Sequence, residues 1–178
     1  MEDLMNNDLH IRMATPDDAA ACLDLYTPFV HNTAVTSELE PPSLDEFARR
    51  IRTTIERYPY LVAVLDGRVV GYAYARPFKS RAGYAGSVEV SVYVNPAVHK
   101  HGVGRALYSE LDARLARQGV TNLYAYVACA QVEGDPYLTD ASMCFHKRMG
   151  YKQVGLLHGC VRKFGRAYDV AFMEKLLG

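Results

Sequence analysis

The stretch from Ser87 to Arg105, SVEVSVYVNPAVHKHGVGR, constrains this chain more than any other. Val88, Val90, Val92 and Val94 fall on one parity, and Glu89, Ser91 and Tyr93 on the other, which is the two-residue period of a β-strand. Asn95-Pro96 ends that strand, because proline lacks the N–H a ladder needs and restricts the residue before it. Gly102 and Gly104 then lead into Leu107, Leu111 and Leu115, spaced as the apolar stripe of a helix. A helix that begins there aims unpaired N–H groups and the positive end of its dipole at an anion. Lys100 and Arg105 add charge at the same place. Strand, glycine turn and helix together read as a phosphate cradle beside a strand edge. Taken alone, the two glycines fit a capped turn before an ordinary helix equally well. Rival glycine motifs are not met: GxxxxGK followed by Ser or Thr is absent, and Leu107 stands where a dinucleotide fingerprint needs its third glycine.

The 20 basic and 20 acidic residues cancel, which argues against a nucleic-acid partner held by a broad basic surface. The Lys and Arg residues near 79–81 and 99–105 still offer a local patch for an anionic cofactor. A chain of 178 residues suits one domain over 1–178, with 1–9 expected as a flexible N-terminus. No run reaches transmembrane length, and MEDLMNNDLH lacks the basic-then-apolar character of a signal peptide. No membrane partner and a cytoplasmic location are the expectation. Cys22, Cys129, Cys144 and Cys160 are widely spaced without a CxxC pair, as expected of reduced, buried thiols. His99-x-His101 has no acid or cysteine clustered beside it in sequence, so no metal site is expected.

Along the chain, Ile11–Met13 reads as a short strand, and Thr15-Pro16-Asp17-Asp18 as a capped helix start. Ser43-Leu44-Asp45-Glu46 is a second start, of capping-box form, with Phe47, Ile51 and Ile55 following at four-residue spacing. Leu61–Leu65 and Val69–Ala75 read as strands joined by a turn at Asp66-Gly67. A loop over 77–86, the strand over 88–94 and a helix over 104–118 follow. Next come a strand over 123–129, a short helix from Asp140 to Met149, and strands over 153–159 and 167–175.

The segments Val88–Val94, Arg57-Tyr58-Pro59-Tyr60, Gly71-Tyr72-Ala73-Tyr74-Ala75, Phe145-His146-x-x-Met149-Gly150-Tyr151 and Lys163-Phe164-Gly165 stand in an order β-α-α-β-β-β-α-β-α-β-β. That order resembles the GCN5-related N-acetyltransferase (GNAT) superfamily, in its phosphinothricin acetyltransferase-like branch. The likeness covers nearly everything from Ile11 to Leu176. It implies an α/β (α+β) fold, a mixed, mostly antiparallel sheet flanked by helices, and transfer of an acetyl group from acetyl-CoA to a small primary amine. An amino-acid analogue of the phosphinothricin or methionine sulfoximine type is the acceptor class it suggests, and a homodimer the assembly. A non-catalytic acyl-CoA-binding module on the same fold is the alternative. Three positions depart from the family's pattern: His99 for Gln or Arg, Thr139 for Asn, and Ala167 for Trp.

Acetyl transfer needs a base for the amine, a polarised thioester and a route for the leaving thiolate. Glu89, on the parity facing away from the valines, is the candidate base; on its residues alone a solvated strand carboxylate is the plainer reading. A carboxylate sequestered in a cleft can have its pKa raised toward neutrality. The resemblance places the family's catalytic glutamate here. It also implies that main-chain groups of Val92, Tyr93 and Val94 take the pantetheine arm. The N–H groups of Lys100, His101, Gly102, Val103, Gly104 and Arg105 then take the pyrophosphate, with Ser142 as a further cofactor contact. His146 is the second chemical candidate, able to hand a proton to the thiolate; the bland reading is a helix-surface histidine. Lys79, Arg81 and Tyr84 form the expected acceptor-side cluster, an arginine fork suiting a carboxylate or phosphinate, or else an ordinary basic loop. The loop over 130–139, with Gln131, Glu133, Asp135 and Tyr137, is expected to shape the pocket.

Overall fold

The computed structural model of the chain describes residues 9–98 and 102–178. The expected element order is the one observed. β1 (Leu9–Met13), β2 (Tyr60–Leu65), β3 (Arg68–Pro77), β4 (Ser87–Val94), β5 (Asn122–Ala130), β6 (Lys152–Lys163) and β7 (Arg166–Leu176) form one seven-stranded sheet in the order β1-β2-β3-β4-β5-β7-β6. Every neighbouring pair is antiparallel except β4 with β5. Residue 9 is therefore not part of a loose terminus: it is the first residue of β1, opposite Leu65.

Four helices cover the sheet. α1 (Ala19–Asn32) follows a 3-10 turn at Pro16–Asp18, and α2 (Leu44–Ile55) starts at Ser43, whose Oγ accepts the Glu46 N–H at 3.2 Å. Both pack Cys22, Tyr26, Val30, Phe47 and Ile51 onto one face, against Tyr60, Val62, Val64 and Tyr72. α3 (Val103–Arg117) lies on the other face, its Leu107, Leu111 and Leu115 fully buried on Leu61, Ala73, Val88 and Leu123. Strand β2 is buried at every position because its two parities serve the two cores. The face that carries Glu89 is thus covered by α1 and α2 over much of its area, not open to solvent as a half-covered sheet would leave it.

The Asp66-Gly67 hairpin turn takes positive φ at both residues, as expected. The last two strands run longer than the sequence suggests because Phe164-Gly165 makes a second turn of the same kind, with the Phe164 ring stacked on Tyr137 at 4.1 Å. α4 (Ala141–Arg148) begins at Asp140, but that side chain does not cap it and instead accepts a long contact from Cys144 Sγ. Of the four thiols only Cys22 is buried and Cys160 is exposed, which corrects the expectation of four buried cysteines. Among the described residues no helix is long and apolar enough to cross a membrane.

Candidate active site

The parallel pairing of β4 with β5 covers three positions, Ser87↔Asn122, Val88↔Leu123 and Glu89↔Tyr124, and then stops. β4 continues to Val94 and β5 to Ala130, so the two strands part immediately after Glu89. β3 still pairs β4 along its other edge. The Asn95 N–H donates to Val70 O at 2.8 Å, and alternation along the antiparallel ladder then gives odd-numbered residues of β4 to β3. The peptide groups of Val92 and Val94 accordingly face the gap. Those of Tyr93 do not: they face β3, and its ring packs on Tyr26 at 5.0 Å and Phe29 at 5.4 Å. An extended chain with amide groups is what an unpaired strand edge of this kind accepts.

The gap leads to the N-terminus of α3. Gly102 takes φ +74°, a left-handed turn that strains any residue with a Cβ, and its carbonyl accepts the first helical bond, from the Ala106 N–H. The N–H groups of Val103, Gly104 and Arg105 are left without helical partners. Val103 contributes main chain only, since its side chain is in the core. Gly104 is glycine for a packing reason that its spacing does not reveal: a Cβ there would sit 3.1 Å from the Phe145 ring. Lys100 and His101, expected cradle residues, and His99 lie outside the described residues.

Glu89 lines a cleft of about 730 Å³ on the α1–α2 face. Its side chain is 13% exposed and ion-paired with Arg76, which lies directly opposite on β3. Burial is the largest single influence and works against the Arg76 charge, but the bond to Glu89, the Glu89 charge and the neighbouring tyrosines together outweigh it, so the guanidinium pKa is raised. Across the gap Tyr126 of β5 lines the same cleft, and burial first, then the Glu89 charge, push its phenol up. Arg76 was not singled out in the sequence, because only the β3–β4 register brings residues thirteen apart into contact.

Of the expected acceptor cluster, Lys79 alone lines the cleft, its ammonium 5.1 Å over the Phe78 ring. Arg81 and Tyr84 are exposed on the neighbouring loop, with Tyr84 edge-on to Phe78, and line no part of it. Gln131, Glu133, Asp135 and Tyr137 do not line it either. Gln131 is held by Asp169 and Asp135 by Tyr168 and Arg166, which ties that loop to β7. A row of tyrosines, Tyr26, Tyr60, Tyr72, Tyr74 and Tyr93, lines the same cleft, brought together by positions of three strands and α1.

His146 is on α4 and is 5% exposed, away from the cleft lining. Its Nδ1–H donates to Ser142 O at 2.8 Å, so Nε2 is the acceptor, and the Tyr108 hydroxyl donates to it at 3.0 Å. Burial lowers its pKa despite the Ser142 bond, and the ring is neutral. Its one N–H is committed to Ser142 O and its free lone pair to the Tyr108 hydroxyl, so the ring is buried and engaged at both nitrogens, unlike a surface histidine. Ser142 stands one turn before it, with its Oγ 3.5 Å from Nδ1.

Comparison with known proteins finds acetyltransferase relatives by sequence and by structure. The acetyltransferase (GNAT) domain family matches residues 11–172. A phosphinothricin N-acetyltransferase of Streptomyces viridochromogenes is 32% identical over 167 residues, 94% of this chain and 87% of that one. An L-methionine sulfoximine/L-methionine sulfone acetyltransferase of Salmonella typhimurium is 32% identical over 165 residues, 92% of each. Among solved structures, a GNAT superfamily phosphinothricin acetyltransferase from Sinorhizobium meliloti in complex with AcCoA superposes with a TM-score of 0.86 at 34% identity, covering 96% of this chain and 89% of that one.

Proposed function

The chain belongs to the GNAT acetyltransferase family and is an acetyl-CoA-dependent N-acetyltransferase, and from that premise we propose that it acetylates the primary amine of a small amino-acid analogue by direct transfer beside Glu89. The observation that carries this reading is the parting of β4 from β5 immediately after Glu89, which puts a carboxylate and an unpaired strand edge at one point. The residues present fit the cofactor: free peptide groups at Val92 and Val94 suit the amide-bearing arm, and the first turn of α3 suits its phosphates. Bound there, acetyl-CoA supplies the activated acetyl group and leaves as the free thiol.

Glu89 takes a proton from the acceptor's ammonium, directly or through one water, and the freed nitrogen lone pair attacks the carbonyl carbon. As the new C–N bond forms the C–S bond breaks, and the proton shed by the nitrogen balances the one the sulfur takes up. Arg76 holds one oxygen of Glu89 and so orients the other. His146, neutral and bonded to Tyr108, fixes α4 against α3 in this scheme rather than protonating the sulfur. Lys79, which lines the cleft, supplies a cation for the acceptor's carboxylate in this reading. The cytoplasmic location expected from the sequence and the homodimer implied by the resemblance go with this reading, and exposed Val154, Leu156 and Leu157 on edge strand β6 support the dimer.

The test is calorimetry with acetyl-CoA, free CoA as competitor, followed by thiol release over a panel of primary amines. Saturable binding with release on amino-acid analogues is expected. Absence of cofactor binding overturns the proposal.

A further inference from the structure

Glu89 has a counterpart on the opposite side of the opening between β4 and β5. At the last paired position Glu89 lies level with Tyr124, and Tyr126 follows two residues on, about 7 Å further along β5 and on the same face. Tyr126 is thus the first residue beyond the parting that β5 turns toward the cleft, which it lines together with Glu89. The next cleft-facing positions, Ser91 on β4 and Ala128 on β5, are both small.

The Tyr126 ring is braced from the side away from Glu89. Its register partner Phe172, on β7, meets it at 4.6 Å with the two planes 64° apart. Because β7 lies on the far side of β5 from β4, that contact fixes the ring without closing the opening.

The hydroxyl is a donor whose proton is secure. Burial, then the Glu89 charge, push its pKa above the ordinary 10 while Arg76 works the other way, and no hydrogen bond among the described residues contributes. A phenol shifted upward donates a hydrogen bond and keeps its proton. Other groups near the parting have other duties: Arg76 is paired with Glu89, and Lys79 lies over Phe78. Ser91 stands on Glu89's own strand. Among the described residues that line the cleft, Tyr126 is the side-chain donor that β5 supplies.

An amine that gives its proton to Glu89 attacks a carbonyl carbon lying between the two strands, and negative charge then gathers on the carbonyl oxygen. A donor already in place, in a site shielded from water, stabilises that charge without reorganising. We propose that Tyr126 is a further catalytic residue, whose hydroxyl donates a hydrogen bond to the thioester carbonyl oxygen from the β5 side of the opening. This rests on the reading that acetyl transfer takes place beside Glu89. The amine's first proton passes to Glu89, the nitrogen lone pair makes the C–N bond, and the carbonyl pair moves onto oxygen. That pair returns as the C–S bond breaks, and the second proton shed by the nitrogen balances the one the sulfur takes up. Tyr126 keeps its own proton throughout.

Tyr126→Phe removes the hydroxyl alone and leaves the ring on Phe172. Thiol release is followed across pH at saturating acetyl-CoA beside Glu89→Gln, with acetyl-CoA affinity taken by calorimetry. The expected result is a fall in kcat of at least about tenfold at every pH. Cofactor affinity and the pH midpoint of kcat should stay at their wild-type values, because the bond is made only as charge develops. A smaller fall overturns the proposal, and so does a loss that lies in cofactor binding. A shifted midpoint overturns it too, since the hydroxyl would then be acting on Glu89. Should Tyr126→Phe not fold, a difluorotyrosine installed at the same position replaces it. That phenol ionises at lower pH, and kcat should drop as its proton leaves; a kcat level through that ionisation overturns the proposal. Wild-type turnover with a slow Glu89→Gln and an unimpaired Tyr126→Phe sinks this inference alone. No turnover by the wild-type chain sinks it together with the function beneath it.

Discussion

Deleting one hydroxyl decides what His146 is for. Tyr108 is fully buried on α3, and its OH donates to Nε2 of a His146 whose other nitrogen is committed to Ser142. Tyr108→Phe keeps the ring and its contacts with Phe145 and Tyr151, and removes only the donor. The Nε2 lone pair is then buried without a partner, a loss of about 1–3 kcal/mol. For a chain of this length each kcal/mol lowers Tm by about 2–4 °C, so a drop of about 2–12 °C is expected. Thermal unfolding by circular dichroism gives that number, and thiol release at 25 °C gives the second readout. If His146 positions α4, kcat of the folded variant changes by less than about threefold, well short of a lost proton donor. The companion His146→Phe strands the Tyr108 hydroxyl in turn, and the double variant should cost less than the sum of the two singles. A Tm within about 1 °C of wild type, together with a tenfold fall in kcat, would refute this reasoning. It would make the pair part of the chemistry, with His146 as the thiolate's acid.

Glu89→Gln keeps the side chain's shape and loses its basicity; kcat should fall by about a hundredfold with acetyl-CoA affinity unchanged by calorimetry, and unimpaired turnover would remove Glu89 as base. His146 is neutral in the fold because burial lowers its pKa below the ordinary 6.5, so its contribution is complete above pH 6.5 and is lost as pH falls from there toward the folded value. Urea midpoints should therefore decline below that pH with a slope of up to about 1.4 kcal/mol per unit from this group, which His146→Phe should remove. Gly104→Ala sets a methyl 3.1 Å from the Phe145 ring. It should cost about 1–3 kcal/mol of stability by overpacking, and a neutral result in urea unfolding would mean that Phe145 moves aside freely.

What could be read from the sequence was whatever local spacing encodes. The alternation over Val88–Val94 sorts four valines onto α3 and leaves Glu89, Ser91 and Tyr93 on the other face, as the structure has them. Gly102 was legible because a helix start with a left-handed residue before it demands glycine. Arg76 was not legible, since its place opposite Glu89 depends on the β3–β4 register. Tyr126 was not legible for a related reason: it faces Glu89 only because β4 and β5, separated in the chain by α3, pair and then part between them. Arg81 and Tyr84 show the converse, a cluster close in sequence that the 3-10 turn at Ala82–Tyr84 leaves outside the cleft. His146 was visible as a residue but not as a state, because its neutrality comes from the burial that Tyr108 and Tyr151 impose.

The point where β4 leaves β5 joins binding to chemistry through a single register. Odd positions of β4 bond to β3 and turn their side chains to the cleft, while even positions turn their peptide groups to the gap and their side chains to α3. A carboxylate on the odd parity and free amides on the even parity are thus two consequences of one pleat. Shifting the strand by one residue would exchange both at once, sending Glu89 into an apolar core and a valine into the cleft. No partial loss is available: such a shift would remove the base and bury a charge beside Leu107 and Leu111 in the same move. That coupling is why seven residues of simple alternation constrain this chain more tightly than the glycine turn that follows them.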